Sequence, residues 1–126
     1  MLQVAGVHKH FTGPNGRVTA LDNVSLQVQP GEFLAVQGAS GCGKTTLLMV
    51  LGALLRPDAG EVRIDGRNPY QLSNEARCRF RAEQIGFVFQ EFYLVPYLSV
   101  LENVMTPSLA KPRANAAARA GELIRQ

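Results

Sequence analysis

Gly38, Gly41, Gly43, Lys44 and Thr45 fall into the spacing G-x-x-x-x-G-K-[ST], and each of those residue types suits the holding of a polyphosphate. Glycines let the backbone curl without Cβ clashes, so that successive N–H groups can turn inward. Ala39, Ser40 and Cys42 between the glycines, and Thr46 just after them, extend that row of backbone donors. The first turn of a following helix adds unpaired N–H groups and a partial positive charge. Lys44 supplies a mobile full charge for terminal phosphates. The Thr45 hydroxyl is an oxygen donor of the kind Mg²⁺ takes. A loop of this composition is expected to bind the phosphates of a nucleoside triphosphate, with MgATP as the foremost candidate. The bland alternative, a glycine-rich turn with an incidental lysine, is disfavoured by the context.

That context is a strand–loop–helix unit. Residues 33–36 are continuously apolar, the pattern of a strand covered on both faces. From Lys44 onward, Leu47, Leu48, Leu51, Leu54 and Leu55 recur at spacings of three and four, which predicts a helix with one apolar face. Pro57 and Gly60 stop it. Before the loop, residues 2–7 alternate loosely, a dense turn signal follows at 12–16, and 24–28 alternate apolar and polar, so the opening reads as strand-rich and partly antiparallel. After the helix, 61–66 predict a short strand ending in a turn, with Asp65 at its tip. A polar helix is expected over 73–84, with Ser73 as cap and Glu75 in its first turn. Residues 85–89 read as a second buried strand. Ser99 and Glu102 have capping-box spacing and predict a helix running to Met105. The alanine-rich segment 114–126 is expected to be helical.

Composition narrows the partners. The 126 residues are 46% apolar, enough for a core and against disorder. The net charge of +3 is spread over separated arginines, with only Arg77, Arg79 and Arg81 close together. A nucleic-acid partner usually meets a denser basic stripe, so none is expected. The apolar run at 47–55 is too short for a membrane span, and the N-terminus lacks a secretory pattern. Cys42 and Cys78 show no ligand spacing and read as free thiols in a reducing, cytoplasmic compartment.

Two further features give the loop a setting. It begins only at residue 38, whereas simple kinases and small GTPases place theirs near the start. A strand ending in Gln90 is followed by an apolar stretch and then Leu98-Ser-Val-Leu-Glu-Asn-Val104. Together with Ala20-Leu-Asp-Asn-Val-Ser-Leu26, Pro30-Gly-Glu32, the loop itself and Pro57-x-x-Gly60, these residues resemble the ATP-binding subunits of ABC transporters. Phe-Val-Phe-Gln at 87–90 is most similar to the subgroup serving lipoprotein-releasing and macrolide or antimicrobial-peptide exporters.

The resemblance implies an α/β fold of the P-loop NTPase, ABC type: N-terminal antiparallel strands, then the start of a parallel sheet carrying the phosphate-loop helix. It implies that Phe11 stacks on adenine, where a tyrosine is commoner, with His10 a weaker candidate for the same role. A core or turn-packing phenylalanine is the competing reading. Gln90 would act with Lys44 in catalysis by touching Mg²⁺ and the attacking water, so that Thr45 and Gln90 are the expected metal contacts. Phe92, Tyr93, Leu94, Pro96 and Tyr97 would border the groove that receives a transmembrane permease subunit, although packing against the neighbouring helix is the plainer reading. A homodimer or heterodimer of nucleotide-binding domains, cytoplasmic and peripheral on the inner face of the membrane, completes the implied picture.

The chain departs from the family pattern in one respect. It reaches Gln126 without a Leu-Ser-Gly-Gly-Gln signature, an apolar strand ending in Asp-Glu, or a switch histidine, and His8 and His10 precede the loop. The expectation is a partial domain over 1–126, with strands 33–36 and 85–89 each lacking a neighbour, poor stability and negligible ATP hydrolysis. Alternatives from other classes are a non-transport ABC ATPase acting on DNA or ribosomes, and a non-catalytic remnant that at most binds nucleotide weakly.

Overall fold

The structure is a computed structural model that describes residues 1–14, 16–110, 112 and 114–125. It divides into two compact units, Met1–Arg77 and Cys78–Gln126, each described by itself.

The first unit is built on a three-stranded antiparallel sheet in the order β2-β1-β3. Strand β1 spans Leu2–Gly13, β2 spans Gly16–Val28 and β3 spans Ala59–Ile64. The expected first strand is longer than its alternating residues suggest. Once Gly13 pairs with Gly16 at the hairpin end, residues 8–12 gain ladder partners as well, including Phe11↔Val18. The turn signal is real, but Asn15 within it lies outside the described residues. Register shifts in β1 between Val4 and Val7, and again near Lys9, bend the long strand. Asp65 and Gly66 both take positive φ (48° and 76°) and form the expected tip, closed by an Ile64↔Arg67 bridge. The terminal amino group of Met1 pairs with the Asp65 carboxylate there.

Val4, Val7, Leu21 and Val62 of the sheet are buried, together with Leu47 and Val50 of helix α1 (Lys44–Leu51). The helix is shorter than its leucine periodicity predicts. The Gly52 N–H closes it onto the Leu48 carbonyl at 2.8 Å and the Ala53 N–H onto that of Val50 at 3.2 Å, and Ala53 at φ 56° turns the chain away. Leu54, beyond its end, is exposed, and so is Leu48 within it, although both are expected on the apolar face. The Tyr70 hydroxyl lies 2.5 Å from the Val50 carbonyl oxygen and 2.6 Å from that of Leu55. It thus fastens the end of α1 and the turn that follows. Tyr70 belongs to a short 3₁₀ turn, Pro69–Gln71, capped by the Asn68 side chain.

Helix α2 (Asn74–Gln84) starts as expected, with the Ser73 hydroxyl accepting from the Ala76 N–H at 3.2 Å. In the second unit, α3 (Val100–Met105) has both bonds of the Ser99–Glu102 capping box. These hydrogen bonds, first from the Ser99 hydroxyl and then from its backbone N–H, hold the Glu102 carboxyl below the usual range. Helix α4 (Pro107–Ala110) and α5 (Ala116–Ile124) follow, the latter shorter than the expected 114–126 because Ala114, Asn115 and Arg125 form turns, while Gln126 lies outside the described residues. The Asn103 side chain binds the preceding loop from both ends of its amide. Its Oδ1 accepts from the Val95 N–H at 2.8 Å, and its Nδ2 reaches the Val95, Leu98 and Ser99 carbonyls at 3.1 Å each.

Residues 33–36 and 85–89 take no part in a ladder among the described residues. Continuously apolar segments need lateral partners to become strands, and none is present for either. Phe33 is 92% exposed and Val88 fully so. No helix among the described residues is long and apolar enough to cross a membrane.

Candidate functional site: a phosphate loop on the first hairpin

The loop before α1 folds as its glycines demand. Gly41 and Gly43 sit at φ 79° and 95°, in the left-handed region that disfavours a side chain. A Cβ on Gly43 would lie 2.2 Å from the Ala20 carbonyl oxygen, and one on Gly38 would lie 2.6 Å from Cys42 Sγ. Gly43 is therefore required by contact with backbone as well as by conformation, whereas the Cys42 thiol near position 38 can swing aside. A backbone turn from the Cys42 N–H to the Ala39 carbonyl (3.3 Å) draws the loop in. Gly43 is the N-cap of α1.

The electrostatics favour an anion. No side chain caps the start of α1 and its first turn contains no acidic residue, so the leading N–H groups keep their positive end open. Lys44 Nζ donates to the Gly38 carbonyl at 2.8 Å and the Ala39 carbonyl at 2.7 Å, and lies 3.7 Å from Cys42 Sγ. The ammonium is thereby held over the loop. Ala39, Ser40, Cys42 and Thr45 are exposed, while Lys44 and Thr46 are half-buried.

Phe11 lies on the same hairpin. Its Cα partner across the ladder is Val18, two residues from the Ala20 carbonyl against which Gly43 packs, a separation of about 7 Å along a strand. The hairpin thus brings the ring and the loop into one neighbourhood. Phe11 is 43% exposed, with the Lys9 ammonium 5.7 Å from its ring centre. His10 faces elsewhere: its Nδ1 is 3.1 Å from Thr19 Oγ1, and its ring stacks with His8 at 6.4 Å.

Asp58 carried no functional signal in the sequence, yet it binds this strand on two sides. Lys9 Nζ donates to its Oδ1 and the His10 N–H to its Oδ2, both at 2.7 Å, while the Asp58 N–H donates to the His8 carbonyl at 2.9 Å. The lysine hydrogen bond first, then that of the His10 amide, holds its carboxyl below the ordinary aspartate range.

Gln90 belongs to the second unit, at an exposed bend. Phe87 and Phe89 stack beside it (5.4 Å, 3°), and Phe89 meets Tyr93 edge-on at 5.3 Å. Phe92, Tyr93, Leu94 and Tyr97 are all strongly exposed, Tyr97 to 85%.

Comparison with known proteins gives this glycine loop and its hairpin a family. The profile of the ABC transporter family matches residues 21–126, and the chain belongs to that family. Its fold is that of the N-terminal part of an ATP-binding cassette. It is 37% identical to the cassette MJ0796, solved as a dimer bound to ADP and Pi. The TM-score is 0.90, covering 99% of this chain and 56% of that one. It is 44% identical to the lipoprotein-releasing system ATP-binding protein LolD 1 of Rhodopirellula baltica, covering 98% of this chain and 55% of the relative. It is also 40% identical to the macrolide export ATP-binding/permease protein MacB of Rhodopseudomonas palustris, over 98% of this chain and 19% of that protein. The chain thus spans about half the length of its LolD relative.

Proposed function

We propose that this chain binds MgATP through residues 38–46 and is part of a transporter ATPase that couples ATP hydrolysis to export or extraction. The observation that carries the reading is the arrangement of Lys44 over a glycine loop that turns at positive φ. Two of its three ammonium donors are held by the Gly38 and Ala39 carbonyls. The third faces only the Cys42 sulfur, a weak acceptor that a phosphate oxygen would displace. The uncapped N–H groups of α1 would receive the same phosphates. Thr45, exposed and oxygen-bearing at the second position of α1, fits Mg²⁺ bound alongside them. The metal would neutralise phosphate charge and so stabilise the transition state of phosphoryl transfer. Phe11 would stack on the adenine ring through its exposed face.

Beyond this site, the exposure of Phe92, Tyr93, Leu94 and Tyr97 supports a contact surface for a transmembrane permease subunit. Such a role places the protein on the cytoplasmic face of the membrane. The dimeric MJ0796 structure supports pairing of two nucleotide-binding domains. Residues 1–126 are read as a partial domain of that kind, with little hydrolytic activity of its own. Calorimetric titration of MgATP into the wild-type chain and Lys44→Ala tests the reading. Saturable binding that Lys44→Ala weakens at least about tenfold is expected. Equal affinity of the two would mean that the loop is not engaged.

A further inference from the structure

The Asp58 carboxylate is spent on the far end of β1, forty-nine positions away from Lys9 in sequence. That choice of partners has a consequence for Phe11. Lys9 and Phe11 share one face of the strand, since the Lys9 ammonium lies over the Phe11 ring. His8 and His10, whose rings stack together, share the other. The Lys9 side chain is only 14% exposed, although a lysine that merely solvated its charge would extend into water. Asp58 keeps it in. The same carboxylate accepts the His10 N–H, at the point where the β1–β2 register shifts between Lys9 and His10, and so fixes the backbone immediately before Phe11.

We infer that Asp58 and Lys9 are positioning residues for the nucleotide base. Asp58 pins the Lys9 ammonium against one face of the Phe11 ring and anchors the backbone beside it, so that the ring presents its other face to a purine. The inference rests on the reading of Phe11 as the base-stacking residue. It adds a connection between the two halves of the site. Asp58 lies on the turn that leaves α1, and α1 begins in the phosphate loop, so one segment of chain touches both the phosphate-binding helix and the strand that holds the base.

The test compares MgATP with Mg²⁺–tripolyphosphate, which offers the phosphates without a base. Both would be titrated into the chain as wild type, Phe11→Ala, Asp58→Ala and Lys9→Met, with circular dichroism to confirm folding. Asp58→Ala and Phe11→Ala are each expected to weaken MgATP about three- to tenfold while leaving tripolyphosphate within about twofold. Loss of both ligands in equal proportion from Asp58→Ala would mean a merely structural role and would overturn the inference. So would unchanged MgATP affinity in Asp58→Ala when Phe11→Ala weakens it, and in that case the base-stacking reading survives. If Phe11→Ala changes nothing, that reading itself is lost, and the role of Asp58 with it. Should Asp58→Ala not fold, Lys9→Met decides: a loss confined to MgATP supports the inference, and an equal loss or none overturns it.

Discussion

Gly43 lies against the carbonyl of Ala20 so closely that a β-carbon on it would stand 2.2 Å from the oxygen. Leu21, the next residue on β2, is buried and would be 3.5 Å from the same atom. The phosphate loop therefore rests on the second strand of the hairpin, and its shape depends on that contact.

Gly43→Ala is expected to displace the loop. The substitution meets a backbone atom that cannot swing aside, at a φ of 95° that alanine disfavours. A stability loss of about 1–3 kcal/mol is predicted, with MgATP affinity falling at least tenfold. Urea denaturation and calorimetric titration would check the two effects separately. Unchanged values in both would show that the loop does not pack on Ala20.

Asp58 sets a pH dependence. Its folded-state carboxyl titrates below the ordinary value of 3.8 because Lys9 and the His10 amide favour the charged form. As pH falls, the unfolded chain therefore takes up this proton first. The stabilisation is complete above about 3.8 and is lost as pH drops through the lower folded value. Urea midpoints measured from pH 6 downward should show wild type and Asp58→Asn differing most at the higher pH and converging in acid. A constant difference would mean that the carboxylate's charge plays no part.

Tyr70→Phe removes the hydroxyl that reaches the Val50 and Leu55 carbonyls. A cost of about 1 kcal/mol is expected, since the ring remains to fill its buried position. Because those carbonyls end α1 and begin the turn toward Asp58, thermal melting should fall by a few degrees while affinity for tripolyphosphate stays within about twofold.

In the second unit, Asn103→Ala frees the backbone of the aromatic loop. The Val95 N–H loses its acceptor at 2.8 Å, and three carbonyls lose a donor. A loss of about 1–2 kcal/mol is predicted, and hydrogen exchange at the Val95 amide should quicken severalfold. No change there would show that the side-chain amide does not hold the loop.

What could be read from the residues alone follows the range of the interactions. The glycine turns at 41 and 43, the Ser99–Glu102 capping box, the Ser73 cap and the Asp65–Gly66 tip all act within a few positions, and each stands where its residues place it. The Lys9–Asp58 pair, the Gly43–Ala20 approach and the reach of Asn103 back to Val95 depend on how distant segments come together. No spacing announces them. Periodicity misled at α1, where leucines continue past Gly52 although the backbone turns at Ala53. It also placed strands at 33–36 and 85–89 from composition alone, when a strand is defined by what lies beside it.

Phe33 and Val88, bare on segments of unpaired backbone, carry a practical meaning for handling the protein. Each offers free N–H and C=O groups flanked by apolar side chains, the combination that recruits foreign strands edge to edge. Solubility of the purified chain should therefore fall with concentration, and a lysine at position 33 or 88 should relieve the self-association without touching the phosphate loop.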